Sequence, residues 1–180
     1  MRLLTYEGYN LTIDPMLLTL KPFKALWVRD KTEKKERAIQ EIAFIYFMED
    51  PRSDYQYITD REEREKQIRE GEGIKPTWKV DGTVQEAMKL YASFKSPAAL
   101  LLEDTRAAVD KLRQLLRNIN LDETDDKGRP IYTLNVITST IKQIPALVKD
   151  LDEAERTLAK EIAQSDKVRG AAEKAIYEDL

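Results

Sequence analysis

AFIYFMEDPRSDYQY, residues Ala43 to Tyr57, joins the least polar run of the chain to an elaborate turn. Phe44, Ile45, Tyr46, Phe47 and Met48 are consecutive, so on a helix they point around most of the circumference instead of along one stripe. Two different surfaces must cover such a segment. Asp50-Pro51 stops the helix, because proline disfavours helical geometry in the residue before it. The turn then offers Asp50, Arg52 and Ser53 for capping and pairing, with Tyr55 and Tyr57 as docking surface. Tyrosine, tryptophan and arginine are enriched where chains bury one another. The segment therefore reads as the centre of a subunit interface, with Trp27, Phe44, Phe47, Arg52, Tyr55 and Tyr57 as candidate contact residues.

Upstream, Ile39, Ile42, Ala43 and Tyr46 form the inward stripe of the same helix, with Thr32 as its N-cap and Glu33 and Glu36 in its first turn. Pro22 begins an earlier helix whose large side chains, Phe23, Leu26 and Trp27, recur at helical spacing. Residues 2–6 and 10–13 are β-leaning around Gly8 and predict an arm or a small hairpin. Asp14-Pro15 suits a helix start, while the LLTL that follows fits an extended segment equally well. Downstream, Thr59 caps TDREEREKQIREGEG, whose only large apolar residue is Ile68. That pattern predicts a solvated helix held by Glu-Arg and Glu-Lys pairs, with a surface that registers against a neighbouring subunit as the alternative. Asp81-Gly82-Thr83 starts a helix with Val84, Ala87, Met88, Tyr91 and Ala92 on one face.

Ser96-Pro97 opens a long helix to about Ile119, with the seam Leu102, Thr105, Val109, Leu112, Leu116 and Ile119. A polar loop leads to a second long helix, Thr133 to about Val168, with Leu134, Ile137, Ile141, Ile144, Val148, Leu151, Leu158 and Ile162 in the matching alternation and a lapse near Glu155. Two matched seams predict an antiparallel helical hairpin, and Pro145 predicts a kink in its second arm. The fold class expected is mainly α: a compact helical core, a long antiparallel helical hairpin and a short N-terminal β or extended arm. The expected division is 1–95 for the arm and core, 96–168 for the hairpin and 169–180 for a C-terminal tail that could dock on another chain.

Composition narrows the function classes. The chain has neither cysteine nor histidine, which removes disulfides, zinc-cysteine sites, the commonest general base and every Ser-His-Asp or Cys-His mechanism. Thirty basic and 33 acidic residues nearly cancel, which argues against a general affinity for nucleic acid or anionic membrane. Glu7, Asn10 and Asp14 interrupt any signal-peptide core, and no stretch approaches the roughly 18 apolar residues of a membrane span. A soluble, uncleaved chain without membrane contact is expected. Asp122 to Gly128 looks like a calcium loop but fails in register: with Asp122 first, glycine falls at the seventh place and Thr133 stands where the bidentate glutamate belongs. Adjacent carboxylates such as Glu62-Glu63 diverge on a helix, and Gly71-x-Gly73 has neither a third glycine nor a P-loop lysine. No catalytic, cofactor-binding or metal-ligating residue is predicted, and the enzyme class is set aside. Tyr55, Tyr57 and Trp78 interleave with Arg52, Arg61 and Lys79 and could stack on nucleic acid, but nearby acids dilute that field.

The segment from Lys21 to Tyr55 carries a resemblance. Lys21-Pro22-Phe23, Leu26-Trp27, Arg29-Asp30-Lys31, Phe44 to Phe47 and Asp50-Pro51-Arg52-Ser53-Asp54-Tyr55 resemble elements in structural proteins of tailed bacteriophages, particularly crAss-like phages of Bacteroidales. The resemblance covers about a fifth of the chain. It implies a virion component in the tail or neck near the portal vertex, made in the host bacterial cytoplasm, and in particular a head-to-tail connector or tail ring subunit. The implied partners are further copies in a homo-oligomeric ring and the portal and other tail or neck proteins, with non-specific proximity to genomic DNA. A DNA-binding, packaging accessory or cargo protein of the particle is the alternative.

Overall fold

The computed structural model describes the backbone of residues 3–178 and side chains through Gln164. Its elements are β1 (Leu4–Glu7), β2 (Asn10–Ile13), α1 (Lys21–Arg29), α2 (Glu36–Glu49), α3 (Arg61–Gly71), α4 (Gly82–Ala92), α5 (Pro97–Asn118) and α6 (Leu134–Glu178), with 3-10 turns at Leu17–Thr19 and Asp54–Tyr57. The fold is mainly α, with a two-stranded antiparallel sheet as its N-terminal arm. It divides into two units, residues 1–96 and 97–180.

In the first unit α2 is the axis around which the rest is wrapped. Phe44, Ile45, Tyr46, Phe47 and Met48 are all buried, as a run apolar on every side requires. Their covering comes from several directions within the same unit. Tyr6 on β1 meets Phe47 edge-on with centroids 4.9 Å apart, Tyr55 meets the same ring at 5.3 Å, and Trp78 covers Phe44 at 4.9 Å. α1 and α4 pack against α2 and each other, bringing Phe23 to Tyr91. The strands pair Leu4 with Ile13 and Tyr6 with Leu11, which sets these four residues on the core face of the hairpin. Gly8 and Tyr9 form its two-residue turn, both with positive φ.

The polar groups at the ends of α2 depart from local capping rules. The helix starts at Glu36, four residues after the expected cap, with Lys35 in the left-handed region at φ 53°. Thr32 does not cap it. Instead the Asp30 carboxylate accepts from the Ala38 N–H at 3.0 Å and from the Thr32 N–H and hydroxyl at 2.9 and 2.8 Å. These hydrogen bonds, the Ala38 one foremost, hold the Asp30 carboxyl down at about 2. With the helix started there, Ala38, Glu41, Ile42 and Ile45 face inward and Ile39, expected in the stripe, stays 37% exposed. At the other end the buried carbonyls are met by side chains. Ser53 Oγ and Gln56 Nε2 donate to Phe47 O, and Gln56 Nε2 and Arg64 Nη1 donate to Met48 O. The α3 cap is Asp60 rather than Thr59, accepting from the Glu63 N–H at 2.8 Å. α3 has the expected Arg69–Glu65 and Lys66–Glu63 pairs, and it buries Arg64 as well as Ile68.

In the second unit α5 and α6 run antiparallel: Ala99 and Leu102 cluster with Ala154 and Leu158, while Val109, Leu112 and Leu116 face Ile144 and Leu147. Where the seam lapses, Glu155 accepts from Arg106 at 2.9 Å. The expected row on α6 is partly displaced. Leu147 and Ala154 turn inward, and Leu134, Ile141 and Val148 are 73%, 51% and 52% exposed. α6 passes Pro145 unbroken and continues beyond Val168 to Glu178, so residues 169–178 prolong the helix. The docking expected of the last residues lies outside the described side chains, and Asp179 and Leu180 lie outside the described residues. In the connecting loop, Asp125 Oδ1 accepts from the Lys127 and Arg129 N–H groups at 2.9 and 2.8 Å, holding the turn on itself.

Phe47→Ala should cost about 3–5 kcal/mol in urea unfolding, because it leaves a cavity under Tyr6 and Tyr55. The loss should not depend on protein concentration, since its covering is intramolecular. The Asp30 carboxyl is lowered from 3.8 to about 2, so its stabilising contribution is full above pH 3.8 and is lost as pH falls toward 2. Thermal melts across pH 2–5 should show a shallower acid limb for Asp30→Asn than for the wild type.

Candidate interaction surfaces

The turn after α2 is a latch made of charge and hydrogen bonds. Asp50, at the C-cap of α2, accepts from Arg52 Nε at 2.8 Å and Nη2 at 2.7 Å, and from the Tyr91 hydroxyl on α4 at 2.6 Å. Arg52 Nη2 also donates to Leu4 O on β1 at 2.9 Å. One carboxylate thereby ties strand, turn and two helices together. Hydrogen bonds to Asp50 outweigh burial and hold the Arg52 guanidinium above its ordinary pKa. Burial first, then the Asp50 charge, pushes the Tyr91 phenol up, so it remains a donor.

The six residues expected at an interface fall into different environments. Phe44 and Phe47 lie in the core of the first unit and offer no surface to a neighbour. They leave the set of contact candidates, because Tyr6, Tyr55 and Trp78 of their own unit cover them. Arg52 faces inward as the latch. Trp27 is half-buried, with Lys35 Nζ 6.0 Å from its ring centre in cation–π range. Tyr55 is half-buried: its hydroxyl donates to Glu72 Oε1 at 3.0 Å. Burial, then Glu72, pushes its phenol up to about 12. Gly71 makes room for that hydroxyl, since a Cβ there would lie 2.3 Å from it. Tyr57 alone of the six is open, at 73% exposure.

Tyr9 is a second open tyrosine, which reading by segment missed. Tyr6 and Tyr55 both meet Phe47 edge-on. Tyr9 is 92% exposed at the hairpin tip, and Tyr57 is 73% exposed in the turn after α2. The signal for Tyr9 was present in the sequence, a tyrosine directly after a turn glycine. Such rings with wet hydroxyls suit protein contact.

A depression of about 540 Å³ between α3 and α4 carries Arg61, Arg69, Lys79 and Lys89 with Glu49 and Glu65. Its two arginines are already engaged, Arg61 with Glu49 at 2.5 Å and Arg69 with Glu65 at 2.6 Å. Among the described residues no cluster of three acidic side chains is placed to hold a metal, and no helix is long and apolar enough to cross a membrane.

The second unit has a different surface. Among the described residues, Ala99, Leu102, Ala154 and Leu158 form its buried cluster, while Leu100, Leu101, Leu115, Leu134, Ile141 and Val148 are each more than 40% exposed. These apolar side chains are open in the chain by itself. No known protein family, curated protein or solved structure matches the chain.

Tyr91→Phe removes a buried donor to Asp50 and should cost about 1–3 kcal/mol in chemical denaturation. Tyr57→Ala, at the surface, should stay within about 0.5 kcal/mol of the wild type.

Proposed function

We propose that the chain is a non-enzymatic structural subunit of a tailed-phage particle, a homo-oligomeric ring protein at the junction of portal and tail. One observation carries the assembly reading: among the described residues of the α5–α6 hairpin, Leu100, Leu101, Leu115, Leu134, Ile141 and Val148 stand more than 40% exposed, and a neighbouring chain would cover them. The resemblance of the Lys21–Tyr55 segment supports the phage assignment. Its residues build the centre of the first unit: Phe23, Leu26 and Phe44 to Phe47 in the core, and Asp50, Arg52 and Ser53 in the latch. The partners are further copies of itself and the portal and neck proteins, and the place is the virion. Mass spectrometry of purified particles should find the chain at a fixed stoichiometry to the portal protein; its absence from washed particles ends the reading.

A further inference from the structure

Toward its loop end the hairpin leaves an apolar groove of about 310 Å³ between α5 and α6. Val109, Leu112, Leu116, Ile144 and Leu147 line it, together with Arg113 and Arg117. Two helices close one seam, and in helical bundles a further helix fills such a groove. Charge says which kind. In the helical part of the loop-end half, residues 107–118 and 134–149, five cations (Lys111, Arg113, Arg117, Lys142 and Lys149) stand with one acid, Asp110, while the loop between them, residues 119–133, adds four acids and two cations. In the opposite half, residues 97–106 and 150–163, seven acids stand with three cations. There the first turns of α5 expose Leu100 and Leu101, at 47% and 57%, beside Asp104.

The hairpin therefore carries an apolar, basic groove at one end and an apolar, acidic helix turn at the other. They cannot meet within one hairpin. Leu101 and Arg113 sit on the same helix, and at 1.5 Å per residue they are about 18 Å apart along its axis. We propose that the groove receives the start of α5 from a second copy of this chain, with Leu100 and Leu101 over the apolar floor and Asp104 toward Arg113 and Arg117. The joint pairs unlike patches, so it either repeats head to tail or closes reciprocally between two antiparallel copies. This deepens the assembly reading by naming its surface. Particle mass spectrometry tests the phage assignment independently of it.

The test is light scattering and sedimentation of the full chain at low and high salt, with circular dichroism on every variant. The wild type should self-associate at low salt and weaken by about tenfold or more at high salt, as screening reaches the charge pairs. Arg113→Glu/Arg117→Glu should weaken association by about tenfold or more at unchanged helicity, and adding Asp104→Arg to it should restore much of the loss. Asp104→Arg alone, at the other end of α5, should weaken association independently and serves if the double variant loses helicity. A chain monomeric at every concentration, an oligomer indifferent to both ends, or a monomer that uses Arg113 and Arg117 to bind duplex DNA overturns the proposal.

Discussion

A helix that is apolar on every side has no solvent face, and α2 imposes that condition on the whole first unit. Burying five consecutive large side chains yields roughly 1.5–3 kcal/mol for each, but it also takes the last backbone carbonyls of the helix out of water. The unit answers both demands with the same segments. The 3-10 turn that lays Tyr55 on Phe47 also brings Ser53 and Gln56 to Phe47 O, and α3, which brings Ile68 into the core, delivers Arg64 to Met48 O. Packing and polar satisfaction are one arrangement here.

The buried charges follow the same logic. Glu41 is 1% exposed, yet it accepts from Arg29, Arg37 and Trp78, and Arg29 goes on to Asp81 at the start of α4. Glu49 is 2% exposed between Arg61 and Lys95. Glu41 and Glu49 each join elements distant in sequence, so removing either partner would strand a charge in a poor solvent for it.

What was legible in the sequence was what is decided locally. The Phe44–Met48 run, Pro22 at the start of α1, the Asp81 cap and the break at Asp50-Pro51 all depend on residues within a turn of one another, and the structure agrees at each. The start of α2 was hidden because its capping carboxylate, Asp30, lies eight residues before the N–H it accepts from. The burial of Glu41 and Arg64 was hidden because the compensating groups are up to 37 residues away. On α6, Val148 and Leu147 were adjacent claimants to one seam position, and only the rotation of the helix against α5 chooses between them. Of the proposed contact residues, the aromatics most conspicuous in composition, Phe44 and Phe47, went inside because the unit supplied enough rings of its own to cover them.

The dependence of the last turn of α2 on later residues also orders events in time. As the chain is synthesised from its N-terminus, Met48 O has no permanent partner until Gln56 and then Arg64 have been made, and Asp50, paired early with Arg52, gains its Tyr91 donor only 41 residues on. The most hydrophobic helix of the molecule is thus the one whose end is closed late. A chain ending before Tyr91 would therefore hold its most apolar run without the groups that close the end of its helix.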